Sequence, residues 1–221
     1  MKALKSILFL SSIFLSGCVS SEQSNPATDY YYLDYQKKLA YVGRVAIVEL
    51  ENKSSYPQVC LDVTEELFRA LQKKQLFSLS IVRQTDPIWK SLQRNWFPSA
   101  VRETGAFGEP LAKSPQELSN LRKKLKCNAV LLGTITQYRP HPNLVLGLRL
   151  KLIDLRDGRL LWALEQVWDA DDKTTERLIK HYHAGTMRSG LSSLDQQLIT
   201  ISSLRFIKFV AYEVARTLTG S

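Results

Sequence analysis

Apolar residues along the chain follow two periods, one typical of strands and one typical of helices. Residues 42–50 are mostly β-branched and apolar, which predicts a buried strand. Residues 59–74 place apolar side chains at helical spacing, and residues 76–82 alternate as a strand with one exposed face does. A strand, a helix and a strand in succession predict two parallel strands joined by a right-handed crossover.

The later part of the chain predicts further helices and an antiparallel meander. Ser114 followed by Pro115 indicates a helix start, and this helix is expected to end near Lys126. Three strand-like stretches follow, at residues 127–138, 143–155 and 160–168. Two helices are expected after them, at residues 171–183 and 201–218.

These elements define the fold class that we expect. Their order is βαβαβββα, which predicts an α/β fold with a mixed sheet of about five strands and helices packed on it in three layers. A C-terminal helix completes the domain. Asp157-Gly158 predicts a two-residue hairpin of type I′, a turn that needs positive φ at both central residues.

The first eighteen residues have the composition of an export signal. A short basic stretch precedes an apolar segment at 7–15, which is too short for a spanning helix of about 20 residues. The sequence Leu15-Ser16-Gly17-Cys18 follows and resembles the lipobox of bacterial lipoproteins at each position. This resemblance implies cleavage before Cys18, a thioether-linked diacylglycerol on its sulfur and an acylated amine. An ordinary signal peptide with an incidental cysteine is the alternative.

The lipobox divides the chain into a signal peptide at 1–17, a lipidated cysteine with a polar tether at 18–39, and one domain at 40–221. A Pro- and Gly-containing insertion at 83–114, expected to be irregular, interrupts the domain. The tyrosine-rich residues 30–35 are predicted to lie on the domain surface with their rings half-buried. A docking epitope near the membrane is the alternative for them.

The residue after the lipidated cysteine bears on localisation. In the enterobacterial sorting pattern an aspartate at that position retains a lipoprotein in the inner membrane, and this chain has Val19 there. We therefore expect a lipid-anchored protein on the periplasmic side of the outer membrane. The inner membrane stays open as an alternative.

Composition and charge narrow the function classes. The chain has 221 residues, and its 44% of hydrophobic residues excludes a disordered chain. Thirty Lys and Arg against 21 Asp and Glu give a formal net charge of +9. In an exported protein this excess does not indicate nucleic acid. It points to anionic surfaces of the envelope, or to solubility alone.

Residues that carry chemistry are scarce. Cys60 and Cys127 would pair in an oxidising periplasm, or both would be buried free thiols, and the sequence leaves this open. His181 and His183 are two residues apart on a predicted helix, so they point to different sides and no metal site is expected. Neither a Gly-rich phosphate loop nor a nucleophile elbow is present. We expect no enzyme, no catalytic residue and no cofactor besides the lipid on Cys18.

The insertion contains the residues that we predict to bind a partner. Trp89, Trp96 and Phe97 recur at helical spacing with Leu92, and Arg94 flanks them. Aromatic residues and arginine dominate binding hot spots, so this segment predicts a docking surface. A lid packed on the sheet is the alternative.

Four stretches resemble a family of envelope α/β domains: residues 45–52, 62–71, 129–138 and 153–162. They are similar to the curli-secretion pore lipoprotein, the peptidoglycan-synthase activator lipoprotein and the amino-terminal domain of TolB. The resemblance spans about residues 42–170 and rests on turn residues and strand apolars. It implies scaffolding and recruitment, and no catalytic residue comes with it.

The expected function is therefore a non-catalytic recruitment or assembly module for another envelope protein, anchored through Cys18 and favoured as a monomer. A subunit of a secretion pore is the first alternative, although neither 83–114 nor 171–200 alternates as membrane strands do. A small-ligand binder or an enzyme is the second alternative.

Overall fold

One mixed sheet organises the part of the chain that the computed structural model describes, residues 31–34, 39–96, 114–186 and 199–219. The strands found there are β1 (Tyr31–Leu33), β2 (Arg44–Val48), β3 (Glu51–Asn52), β4 (Ser78–Val82), β5 (Ala129–Arg139), β6 (Val145–Asp154) and β7 (Leu160–Asp169). Their order is β1-β7-β6-β5-β2-β4, and β3 pairs with β5 beside this path.

The pairing confirms the predicted mixed sheet. β2 lies parallel to both β4 and β5, as the βαβ unit requires, and β5, β6 and β7 form the antiparallel meander. The described residues contain seven strands rather than about five. The additional strands, β1 and β3, are two or three residues long, too short to show a hydrophobic period.

Helices cover both faces of the sheet. They are α1 (Val59–Lys74), α2 (Pro87–Trp96), α3 (Pro115–Leu125), α4 (Lys173–Thr186) and α5 (Ser203–Thr217). Helices α1, α4 and α5 pack with Val45 and Ile47 of β2, whereas α2 and α3 pack with Ala46 and Val48. Because neighbouring strand residues point to opposite faces, the sheet lies between two helical layers. The three-layer α/β fold is confirmed.

Local signals explain where the helices on the second face begin. Ser114 caps α3 by accepting from the backbone N of Glu117, whose carboxylate accepts from the backbone N of Ser114. Pro87 opens α2 directly after Asp86, at the position where a missing N–H costs nothing. Helix α2 corrects the expectation that residues 83–114 are irregular throughout.

The tyrosine-rich segment contributes to the edge of the sheet. Tyr31 pairs with Leu164 and Leu33 pairs with Trp162, in an antiparallel ladder. Tyr31 and Tyr32 are half-buried, and Leu39 belongs to the core on the α1 face. The sheet and core therefore include residues before residue 40, where the sequence places the start of the domain.

The connection between β6 and β7 differs from the predicted two-residue turn. The strands end at Asp154 and resume at Leu160, and the backbone N of Asp154 donates to the carbonyl O of Arg159 at 2.9 Å. Gly158 has φ +75° as predicted, but Asp157 does not have positive φ. The side chain of Asp154 accepts from the backbone N of Arg156 at 2.9 Å, which begins the turn earlier than the Asp-Gly pair. The hairpin is correct, and its type is not I′.

Gly158 provides a test of this loop. We expect Gly158→Val to lower the free energy of unfolding by about 1–3 kcal/mol, because a β-branched residue is strained at positive φ. Gly158→Asn should cost less, since asparagine tolerates the left-handed conformation. Denaturant unfolding of both variants is the measurement, and equal costs would contradict the strain argument.

Candidate functional site

Trp89, the first residue predicted to bind a partner, lies in the core. Its side chain is 9% exposed, and its Nε1 donates to the carbonyl O of Glu49 at 3.1 Å. Leu92, one turn later, is also buried and packs on the same face of the sheet as Val48. This part of the insertion is therefore the lid that was the alternative, and the prediction of Trp89 as a docking residue is wrong.

The structure does not test the binding role predicted for the other residues of the insertion. The side chains of Arg94 and Trp96, and the whole of Phe97, lie outside the described residues. Their role in binding a partner stays a prediction. Cys18 and the lipobox lie outside the described residues as well.

Cys60 and Cys127 are free thiols, both buried. Cys60, the second residue of α1, belongs to the core on one face of the sheet, and Cys127 packs with α3 on the other face. Burial raises the pKa of the Cys60 thiol, and it raises the pKa of the Cys127 thiol to about 11. The disulfide is therefore not formed, and the alternative of two buried thiols holds.

The carboxyl ends of β2 and β4 are where an open α/β sheet usually binds a ligand, since the chain leaves these strands toward opposite faces. Here the polar groups bond to one another. Buried Glu49 accepts from the backbone N of Gln84 at 2.9 Å, and Gln84 Nε2 lies 3.7 Å from Cys60 Sγ. The backbone carbonyl O of Glu49 accepts from Trp89 Nε1. These contacts give this end a structural role.

Two other findings bear on chemistry and membrane contact. Among the described residues, no group of three or more His, Cys, Asp or Glu side chains is placed to hold a metal ion. In the same part of the chain, no helix combines the length and hydropathy needed to cross a bilayer.

At the opposite end, where the parallel strands begin, Asn128 connects neighbouring segments of the chain through hydrogen bonds. Its backbone N donates to the carbonyl O of Arg44 at 2.8 Å, and its Nδ2 donates to the carbonyl O of Val42 at 2.9 Å. Its carbonyl O accepts from Leu155 at 2.7 Å, and its Oδ1 accepts from Arg122 Nε at 3.1 Å. Through its backbone and side chain together, this one residue fixes the start of β2, the end of α3 and the β6–β7 loop against one another.

We call the surface around Asn128, with the last turns of α1 and α5, the basic end. Of the residues that the structure describes, ten basic ones lie there: Arg44, Lys73, Lys74, Arg122, Lys123, Lys124, Lys126, Arg156, Arg159 and Arg216. Four acidic residues accompany them: Asp34, Asp154, Asp157 and Glu213. The basic end therefore carries a net positive charge.

Ion pairing divides nine of these ten cations into two groups, and the tenth, Lys74, is half-buried and acts electrostatically on Glu213. Arg156 pairs with the buried Asp154 at 2.7 Å, which raises the pKa of the guanidinium, and Arg159 and Arg216 each pair with an acid on their own segment. Six exposed cations form no ion pair within the part of the chain that the structure describes: Arg44, Lys73, Arg122, Lys123, Lys124 and Lys126.

Helix dipoles account for some of these cations and not for others. Lys73 lies in the last turn of α1, and Lys123 and Lys124 lie in the last turn of α3, where positive charge is favoured. Arg44 begins a strand and has no such reason to be there. Tyr41, three residues before it, is 76% exposed. The basic end is thus a rigid surface of cations with one exposed aromatic ring.

At the other end of the sheet, ion pairs between described residues offset positive charge: Glu65 with Arg69 and Arg83, Glu66 with Arg69, Asp169 with Arg139, and Glu176 with Lys180. This asymmetry has no local signal in the sequence, because the six cations come from three separate segments. Only the fold brings these segments together, because a helix that joins two parallel strands ends near the point where the second strand begins.

Comparison with protein-family models and with curated proteins gives no match. Similar solved structures include a PelC dodecamer from Paraburkholderia phytofirmans, with a TM-score of 0.42 at 17% identity over 79% of this chain and 97% of that one. Lipoprotein GNA1162 from Neisseria meningitidis has a TM-score of 0.40 at 15% identity, covering 67% and 99% of the two chains.

The comparison also finds the LpoB C-terminal domain from Escherichia coli, with a TM-score of 0.35 at 12% identity over 57% of this chain and 82% of that one. LpoB is the peptidoglycan-synthase activator lipoprotein, which belongs to the family that the four sequence stretches resemble.

Proposed function

We propose that the protein is a lipid-anchored envelope lipoprotein of the outer membrane that recruits or assembles another envelope component without catalysing a reaction. The sequence Leu15-Ser16-Gly17-Cys18, behind a basic and an apolar segment, carries this proposal. A diacylglyceryl group and an amide-linked chain on Cys18 would together hold the protein far more firmly than one acyl chain does.

The length of the tether supports a domain that extends into the periplasm. About 13 residues separate Cys18 from Tyr31, and an extended chain of that length spans about 45 Å. Within this stretch, residues 20–28 are mostly small and polar and contain a proline, a composition typical of tethers. A domain on such a tether can meet partners within the periplasm while its anchor stays in the membrane.

The buried groups of the domain support a non-catalytic role. A cysteine nucleophile needs an accessible thiolate, and the pKa values of both Cys60 and Cys127 are raised by burial. Glu49, which is buried at the usual ligand-binding end of the sheet, accepts a hydrogen bond from the chain itself. These features favour a scaffold with its functional residues on the surface.

Cys18→Ser tests the proposed anchor. In cells fed labelled palmitate, the wild type should incorporate the label and the variant should incorporate none, because serine offers no thiol for the thioether. Cys60→Ser is the matched control, since it also removes one thiol and should keep the label. Label in Cys18→Ser would contradict the lipid attachment.

Recruitment is tested in the same cells by cross-linking and affinity purification from solubilised membranes. We expect a second envelope protein to be recovered with the wild type and to be depleted with Cys18→Ser, because the unanchored chain no longer reaches it. Recovery of no envelope protein with the anchored wild type would contradict the recruitment role.

A further inference from the structure

We infer that the basic end lies against the anionic lipid headgroups of the membrane that holds the anchor. This inference rests on the proposed lipid attachment at Cys18. The attraction would orient the domain and place the other end of the sheet toward the periplasm.

The distribution of positive charge on the molecule supports this inference. The six unpaired cations lie on one end of the molecule and are all exposed, so their attraction to a negatively charged surface adds up. This attraction acts only within about 8–10 Å at physiological salt, which requires the cations to face the surface together. The hydrogen bonds of Asn128 provide that arrangement by fixing Arg44 and Arg122 relative to each other.

The residue type of these cations favours contact with lipid headgroups over contact with a protein partner. Four of the six are lysines: Lys73, Lys123, Lys124 and Lys126. Lysine is depleted in protein interfaces, which prefer arginine and several aromatic anchors around a desolvated centre. Lysine keeps its hydration shell and attracts headgroups as a point charge. Tyr41, an exposed ring at this end, is of the kind that lies at the membrane–water interface.

The tether permits this orientation. Strand β1 runs toward the basic end, because Leu33 pairs with Trp162 near the start of β7. The tether joins the sheet at Tyr31, which pairs with Leu164, four residues after the start of β7 at the basic end. Four strand residues span about 13 Å, which is well within the reach of about 45 Å that about 13 extended residues allow. The anchor can thus lie in the membrane that the basic end faces.

The test uses the lipidated protein in two kinds of vesicle, phosphatidylcholine alone and phosphatidylcholine mixed with phosphatidylglycerol. A membrane-impermeant reagent acetylates lysine amines, and mass spectrometry follows each lysine. We expect labelling of Lys73, Lys123, Lys124 and Lys126 to slow at least about threefold on the anionic vesicles. High salt should abolish this protection. The far-end lysines Lys53, Lys90 and Lys173 should label equally on both.

Charge-reversal variants provide matched controls. Lys123→Glu with Lys124→Glu and Lys126→Glu should remove the protection of Lys73. Lys53→Glu with Lys90→Glu and Lys173→Glu changes the net charge equally and should retain that protection. All these residues are exposed, and denaturant unfolding of both variants checks that the lost favourable charge at the end of α3 leaves the domain folded.

The outcomes separate this inference from the proposed function. The mass of the purified protein is measured before reconstitution. A protein without acyl groups would overturn the lipid attachment and this inference together. An acylated protein whose lysines label equally on both vesicle types, or whose two ends are protected equally, would overturn the orientation alone.

Discussion

Replacing Trp89 with alanine should lower the free energy of unfolding by about 3–5 kcal/mol, the usual cost of removing a large buried aromatic side chain. The indole of Trp89 is buried between α2 and the sheet, and its Nε1 donates to the carbonyl O of Glu49. Alanine would leave a cavity there and an unpaired carbonyl. Denaturant unfolding at neutral pH measures the loss.

Trp89→Phe separates the two contributions. Phenylalanine fills most of the space but cannot donate to Glu49, so the expected cost is about 1–3 kcal/mol. A docking residue would behave differently, because its removal would spare stability and abolish binding of a partner. Trp89→Ala with an unchanged unfolding midpoint would therefore restore the hot-spot hypothesis for this residue.

Arg216→Gln should destabilise the domain by about 3–5 kcal/mol at neutral pH, because it leaves a buried carboxylate without its partner. The side chain of Glu213 is 0% exposed, and Arg216 Nη1 lies 3.2 Å from its Oε2. Burial raises the pKa of Glu213, whereas Arg216 acts in the opposite direction. Removing the guanidinium would raise this pKa further.

The direction of the Glu213 pKa shift predicts how the cost of Arg216→Gln depends on pH. Because the folded-state pKa of Glu213 lies above its unfolded value, protonated Glu213 favours folding at acid pH. That contribution is lost as the pH rises through the folded-state pKa. The cost of Arg216→Gln should thus be small at acid pH and large at neutral pH.

Two control variants accompany Arg216→Gln. Glu213→Gln combined with Arg216→Gln should recover most of the stability at neutral pH, because neither charge remains. Arg139→Gln, which breaks the more exposed pair with Asp169, should cost only about 0–1 kcal/mol. A pH-independent cost of Arg216→Gln would contradict the role of Glu213.

The long elements of the fold were predictable because each repeats its pattern several times. The helix at 59–74 and the meander of β5, β6 and β7 are where the apolar periods place them. The short strands β1 and β3 have no such repeat, and their pairing depends on neighbours distant in the chain. The loop before β7 depends on a side chain, Asp154, that lies before the Asp-Gly pair.

The position of Trp89 shows what spacing alone leaves undecided. A stripe of tryptophan and leucine at helical spacing indicates an apolar face, but the same residues form cores and binding sites. The signal that favoured the core was in β2. A continuous apolar run predicts a strand buried on both faces, so helices are needed on both faces of the sheet. Helix α3 and α2 together provide that second layer.

The basic end could not be predicted from local patterns. Arg44, Lys73 and the run at 122–126 are far apart in the chain, and each is ordinary where it stands. The fold assembles them because β2 and β5 begin where α1 and α3 end. By contrast, the proposed anchor at Cys18 is a purely local signal and was available from the sequence alone.

The recruitment role and the orientation at the membrane both depend on lipid attachment at Cys18, which mass spectrometry of the N-terminal peptide of the membrane-purified protein can detect. We expect a mature chain that begins at Cys18, with a diacylglyceryl group on the sulfur and an acyl group on the amine. A mature chain that begins elsewhere, or a Cys18 with a free thiol, would contradict this expectation.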